Sequence, residues 1–258
     1  MDLPNFTLPL IQGFLICLAR IAAVFAAIPV FSGAQIPPQL RIGVAVMFAL
    51  LTYPIVRDFI PSGSYSVLQL GLVIGAEVIL GLLVGFLAQL VFMAAEFAGA
   101  VVGYQMGFAA ANIFDPSTQQ QVSLLSQFQG ILAILLFLAL DVHHLFLEAL
   151  VASFERLPPG SLNLAGGAIP MLVDIFSQSF VLSIRIMAPI MVLLMLISLT
   201  LGIMSRIFPQ LNVLLLSFPL KIGVALMVMG MILGTTIRIL GNEFAALSER
   251  FLNLFSLL

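Results

Sequence analysis

Residues 67–92 read VLQLGLVIGAEVILGLLVGFLAQLVF, a run with one ionisable side chain, Glu77. A helix crossing a bilayer takes roughly 20 mostly apolar residues, and this run supplies more than that without a proline. Five further runs of the same kind lie at 8–31, 42–60, 130–151, 180–204 and 213–240. Breakers separate them: Ser32-Gly33 and Pro37-Pro38, then Pro61-Ser62-Gly63-Ser64, Pro158-Pro159-Gly160 and Gly166-Gly167, and Pro209 between the last two. The pattern predicts an all-α membrane protein with about six hydrophobic helical segments. Short linkers make residues 1–258 one integral membrane domain.

Glu77 has company. Arg20, Arg185 and Lys221 also lie deep inside apolar runs. A charged residue at the centre of a lipid-exposed helix costs roughly 3 kcal/mol on insertion scales, so four unanswered ones would cost about 12 kcal/mol. Only one of the four is acidic, so they cannot all pair within the chain. Water or neighbouring subunits must answer the rest, and a free-standing membrane anchor is excluded.

The composition narrows the class. The chain is 62% hydrophobic and 8% charged, against about 25% charged in soluble domains, which leaves no room for a sizeable soluble domain. A net charge of −2 with no basic run argues against nucleic acid and against electrostatic membrane-surface binding. Cys17 is the sole cysteine and sits in an apolar run, so no intrachain disulfide forms. The N-terminus lacks the basic region of a cleaved signal, and Arg20 interrupts the first apolar run. We read that run as a retained helix. On six spans, Arg57, Arg156 and Arg250 share the side of the N-terminus, with Arg41 and Arg206 opposite, which narrowly favours cytoplasmic termini.

Glycines four apart recur at Gly71/Gly75, Gly81/Gly85 and Gly230/Gly234, and Gly99, Gly103 and Gly107 make a double step continuous with Ala95. Small residues at this spacing let helix backbones approach closely in membranes, though glycine is common in membrane helices generally. The run of three glycines is the stronger signal and predicts a helix-packing face. From Gly103 the text runs Tyr104, Gln105, Met106, Gly107, Phe108, then Asn112, Phe114 and Asp115-Pro116, into a neutral polar stretch ending near Gln129. Asn112 and Asp115-Pro116 favour turns. Non-helical backbone at membrane depth survives only inside protein or against an aqueous cavity, so the segment is either an external loop or a re-entrant element at a pore.

Enzyme motifs are missing: there is no His-Glu-x-x-His pair, no phosphate-binding Gly-Lys loop and no Gly-x-Ser-x-Gly elbow. His143 and His144 are adjacent, and adjacent helical residues point ~100° apart, which argues against a ligand pair. His144 and Glu148 share a face with Asp141 nearby, but a zinc site takes three or four ligands. We expect a polar cluster at a helix end, and neither a metal nor a cofactor. Met187, Met191 and Met195 form one stripe on the fifth run. It is either packing filler or a deformable seal.

Several stretches together resemble the FliR family. They are Phe25-Ala-Ala-Ile-Pro-Val-Phe with Ile36-Pro-Pro-Gln-Leu-Arg-Ile-Gly, Gly103-Tyr-Gln-Met-Gly-Phe with Asp115-Pro116, and Leu135-Leu-Phe-Leu-Ala-Leu-Asp-Val-His-His with Ser153-Phe154 through Pro158. Arg206-Ile-Phe-Pro-Gln-Leu-Asn-Val and Phe218-Pro-Leu-Lys-Ile-Gly complete the series. Asp141 stands where the family leads us to expect Asn or Gly.

The resemblance implies a core subunit of the flagellar type III protein export gate. It would assemble with P-type and Q-type subunits and an FlhB-type switch subunit into a helical spiral around a channel for unfolded flagellar proteins. The setting would be the bacterial inner membrane at the flagellar basal body, partly raised toward the periplasm among membrane lipids. The chain would divide into a P-like half, about 1–175, and a Q-like half, about 176–258. Residues 103–121 would be the channel plug, and Arg20, Glu77, Arg185 and Lys221 would lie at subunit contacts. A virulence type III secretion subunit is the nearest alternative. A secondary transporter would also carry buried charges and broken helices, but it should show an internal repeat, and none is persuasive here.

Overall fold

The computed structural model describes residues 8–32, 36–61, 65–107, 124–162, 167–210 and 212–258. Among them are nine α-helices and no strand: α1 Leu8–Ala27, α2 Pro29–Ser32, α3 Pro38–Val56, α4 Val67–Met106, α5 Leu124–Ala139, α6 Val142–Arg156, α7 Ala168–Ile207, α8 Val213–Ala245 and α9 Leu247–Leu257. Five are long and apolar enough to cross a membrane. A sixth span results if α5 and α6, bent by 67° at their junction, count as one. The all-α membrane architecture with about six segments is therefore what the chain adopts.

Prolines and left-handed residues set the breaks. α1 stops just before Ile28-Pro29, because proline has no N–H to donate and disfavours helical backbone in the residue before it. α3 opens on Pro38, whose missing N–H would lack a helical partner there in any case. Asp141 adopts φ +54° between α5 and α6 and turns the chain there.

The apolar runs understate the helices. α4 continues past 92 to Met106 and α7 starts at Ala168, well before 180, so each has 40 residues. At 1.5 Å per residue each is about 60 Å long, twice the ~30 Å hydrocarbon core of a bilayer. The added turns are weakly apolar and helix-permissive, so a hydropathy reading trims them while the backbone continues.

Two compact units emerge. One comprises Met1–Leu90, Asp141–Ile175 and Phe244–Leu258, and the other Val91–Leu140 and Phe176–Glu243. These units cut across the expected division at 175/176, which concerns internal likeness rather than packing. In the first unit, α1 and α3 run antiparallel, with Phe14 on Tyr53 and Phe25 on Phe48. α1 and α4 run parallel: Arg20 and Ala23 lie against Gly81, and Val24 and Ala27 against Gly85. Gln12 ties the two N-terminal ends together, donating from Nε2 to Tyr65 O (2.9 Å) and accepting from Tyr65 N–H (3.0 Å). Phe146 of α6 meets Phe251 of α9 edge to face.

In the second unit, α4 and α5 form an antiparallel pair. Its register reads Phe92 to Phe137, Glu96 to Gly130 and Gly99 to Leu125. The core joins Val102 and Met106 of α4, Leu125 of α5, Ile190 and Leu194 of α7 and Ala225 of α8.

Candidate functional site

The polar centre of the first unit is built by helix packing. Glu77, Gly81 and Gly85 are four apart and share one face of α4. A Cβ at Gly81 would fall 2.5 Å from Arg20 O and 2.7 Å from Ala23 Cβ, and one at Gly85 would overlap Ala27. The bare glycine backbone lets α1 and α4 touch, and one turn earlier that contact delivers the Glu77 carboxylate to Arg20. Arg20 Nε donates to Glu77 Oε2, Nη1 donates to Ser153 Oγ at 3.0 Å, and Nη2 donates to Leu157 O at 2.9 Å. The guanidinium carbon lies 3.9 Å from the centre of the Phe154 ring. Arg20 is 1% exposed and Glu77 2%.

Arg20 thus joins α1, α4 and the C-terminal end of α6 around one planar cation, where its fixed fork of donors meets three acceptors. Arg20 and Glu77 therefore answer each other within the chain. Sequence reasoning named both ions but missed Ser153, Phe154 and the Leu157 carbonyl. They lie 133 to 137 positions from Arg20, and no local pattern links residues so far apart.

The other two charges behave differently. Arg185 on α7 is exposed and Lys221 on α8 is half-buried. Met187 and Met191 pack against the second unit's core, whereas Met195 is 61% exposed. The stripe therefore divides between packing and surface.

Gly99 lies at a close approach within the chain: a Cβ there would lie 2.5 Å from Leu125 O. Gly103 is buried one turn on. Gly107 ends α4 at φ +91°, with the Phe218 ring against it, so a side chain there meets both a disfavoured backbone angle and an aromatic face. Among the described residues, nothing lies within 4 Å of a Cβ position at Gly71, Gly75, Gly230 or Gly234. Of the expected plug, Gly103, Tyr104, Gln105 and Met106 form the end of α4 and Gly107 follows it. Tyr104 is 72% exposed and Met106 fully buried. Phe108, Asn112, Phe114, Asp115 and Pro116 lie outside the described residues.

At the α5–α6 turn, Asp141 Oδ1 lies 3.9 Å from His143 Nε2 and 3.7 Å from His144 Nδ1. The imidazoles do converge, despite being adjacent, because the left-handed Asp141 brings its carboxylate over the first turn of α6. Glu148 is exposed on α6 and is not part of the group.

The fold and its buried ion pair define an all-helical integral membrane protein whose charged core is closed by close-packed helices. The family profile described as "Bacterial export proteins, family 1" matches residues 11–247. The chain is 31% identical to the flagellar biosynthetic protein FliR of Bacillus subtilis, over 98% of both chains. It is 33% identical to FliR of Pectobacterium carotovorum, over 83% of this chain and 81% of that one. It is also 32% identical to the Yop proteins translocation protein T of Yersinia pestis, over 82% of each. This chain belongs to the FliR family of bacterial export proteins.

Proposed function

We propose that this chain is a subunit of the flagellar type III protein export apparatus, a transport component rather than an enzyme. Together with P-type and Q-type subunits, and beside an FlhB-type switch subunit, it forms a gated passage for unfolded flagellar proteins in the bacterial inner membrane. The observation that carries this reading is the family match over nearly the whole chain, to relatives named for flagellar biosynthesis.

The structure supports assembly with other subunits. α4 and α7 each outrun a bilayer by about 30 Å, which fits a complex partly raised toward the periplasm. α7 and α8 leave Leu196, Leu199, Met227 and Met231 exposed, and Arg185 is exposed on the same apolar α7. Lipid alone suits the apolar side chains but not the arginine, whereas a neighbouring subunit suits both. On this reading the segment from Gly103 to Gln121 is the resting plug. Its lack of basic residues lets it sit in a narrow passage with little need of counter-ions, and its Gln and Ser side chains hydrogen-bond to water or to cargo.

Two measurements test the proposal. The chain should copurify with different small membrane proteins of the P and Q type. Purification as a stable homo-oligomer that takes up a small solute would instead favour a transporter. Deleting Ala109–Gln119 from the assembled complex should raise passive ion conductance in planar bilayers, and an intact deletion complex with unchanged conductance would remove the plug role. The similarity to the Yop translocation protein supports a second reading, a virulence secretion system, decided by which substrates the chain restores to export in a deletion strain.

A further inference from the structure

We propose that Asp141, His143 and His144 form a binding site for a first-row divalent transition-metal ion, with zinc as the reference ion. Their ligand atoms all lie within 4.8 Å of one another. The Asp141 carboxylate oxygen stands 3.9 Å from one imidazole nitrogen and 3.7 Å from the other. Zinc bonds to nitrogen and oxygen at about 2.0–2.2 Å, which in a tetrahedral shell spaces neighbouring ligand atoms by roughly 3.3–3.5 Å. The two Asp141 distances exceed this by about half an ångström or less and the widest spacing in the group by up to about 1.3 Å, so side-chain rotation has to draw the ligand atoms together.

Three details favour a ligand set over an incidental surface cluster. Asp141 occupies the N-cap position of α6 yet makes no side-chain cap hydrogen bond. Its carboxylate, the usual acceptor for the first turn's N–H groups, is aimed at the two imidazoles instead. His143 Nδ1 is buried, which leaves Nε2 as the nitrogen turned toward the carboxylate. The two rings lie 4.2 Å apart, centre to centre. That spacing places both rings beside the one carboxylate, within reach of a single ion. The helix N-terminus opposes a cation with roughly half a positive charge, and the full charge of Asp141 exceeds it.

The donor set selects the ion. Two imidazoles and a carboxylate suit zinc, nickel, cobalt or copper, while magnesium and calcium prefer all-oxygen shells. Three protein ligands leave a fourth position for water or for a side chain of a neighbouring subunit.

The test uses the full chain in detergent, free of any polyhistidine tag. Co2+ is titrated while visible absorption is followed, and Zn2+ is then added as competitor. We expect one Co2+ per chain, a spectrum of low-coordinate cobalt, and displacement by Zn2+. D141N and H144A should each weaken binding at least tenfold. Both side chains are exposed, and continued shielding of the buried Cys17 thiol certifies that each variant is folded. Absence of saturable binding, or binding that survives either substitution in a folded variant, overturns the proposal. Neither result bears on the export reading, which rests on other residues.

Discussion

Replacing Glu77 by Leu isolates the energetics of the buried cluster. The variant leaves the Arg20 guanidinium 1% exposed with two neutral acceptors, Ser153 Oγ and Leu157 O, and no counter-charge. Removing one member of a buried ion pair costs about 3–5 kcal/mol, which is roughly 10²- to 10⁴-fold in the folding equilibrium. R20L orphans the Glu77 carboxylate and should cost about the same. The double variant R20L/E77L orphans no charge. Ser153 Oγ keeps its 2.6 Å donor bond to Leu150 O, so the chief remaining loss is one unsatisfied carbonyl, Leu157 O, at about 1–3 kcal/mol. The double variant should therefore be more stable than either single one, with a coupling energy of at least about 3 kcal/mol, at or beyond the upper end for residues in contact.

The chain has no tryptophan but a single buried cysteine, Cys17, three residues before Arg20. Its labelling by a maleimide fluorophore during denaturant titration in mixed micelles reads unfolding directly beside the site. A double variant whose loss equals the sum of the singles would refute the pairing. So would an E77L variant within about 0.5 kcal/mol of the parent, the usual range of an inconsequential surface change.

Gly85→Leu should expose Cys17 at once, because its side chain collides with Ala27, while Gly75→Leu, with open space at its Cβ, should leave labelling at the parental rate. Gly107→Ala should destabilise the chain by at least about 1–2 kcal/mol, the penalty of left-handed backbone with a Cβ, with more from the Phe218 ring; parental stability would mean that α4 does not end as described. R185L and K221L should insert normally yet lower the yield of the heteromeric complex on affinity purification, and an unchanged yield from both would return these charges to solvent.

The apolar runs announced the helices because lipid burial demands continuous hydrophobicity. Arg20 and Glu77 stood out for the converse reason, that an isolated ion in such a run is costly. Their pairing was not legible. Arg20, Arg185 and Lys221 look equivalent in sequence, and only the packing of α1 on α4 tells Glu77 which one to meet. Glycine spacing was similarly ambiguous: Gly81/Gly85 and Gly71/Gly75 share one helix and one interval, but α1 covers the first pair and, among the described residues, nothing lies within 4 Å of a Cβ at the second. Asp141, His143 and His144 were legible as a polar cluster at a helix end, but not the closeness of their polar atoms, which depends on the left-handed backbone of Asp141. The ends of α4 and α7 were missed because weakly apolar turns carry no strong periodicity.

The Arg20–Glu77 pair also sets a schedule for biosynthesis. The two residues are 57 positions apart, and a ribosome adding about 5–20 residues per second needs roughly 3–11 s to travel that distance. During that interval α1 has entered or approached the bilayer with its cation bare, at a penalty of roughly 3 kcal/mol. Ser153 and the Leu157 carbonyl emerge later still, from the far end of α6. The first helix therefore cannot settle on its own timetable. It must be held at the insertion machinery, or remain at the interface, until α4 is made, and the core of the first unit closes only when the third of its contributing segments leaves the ribosome.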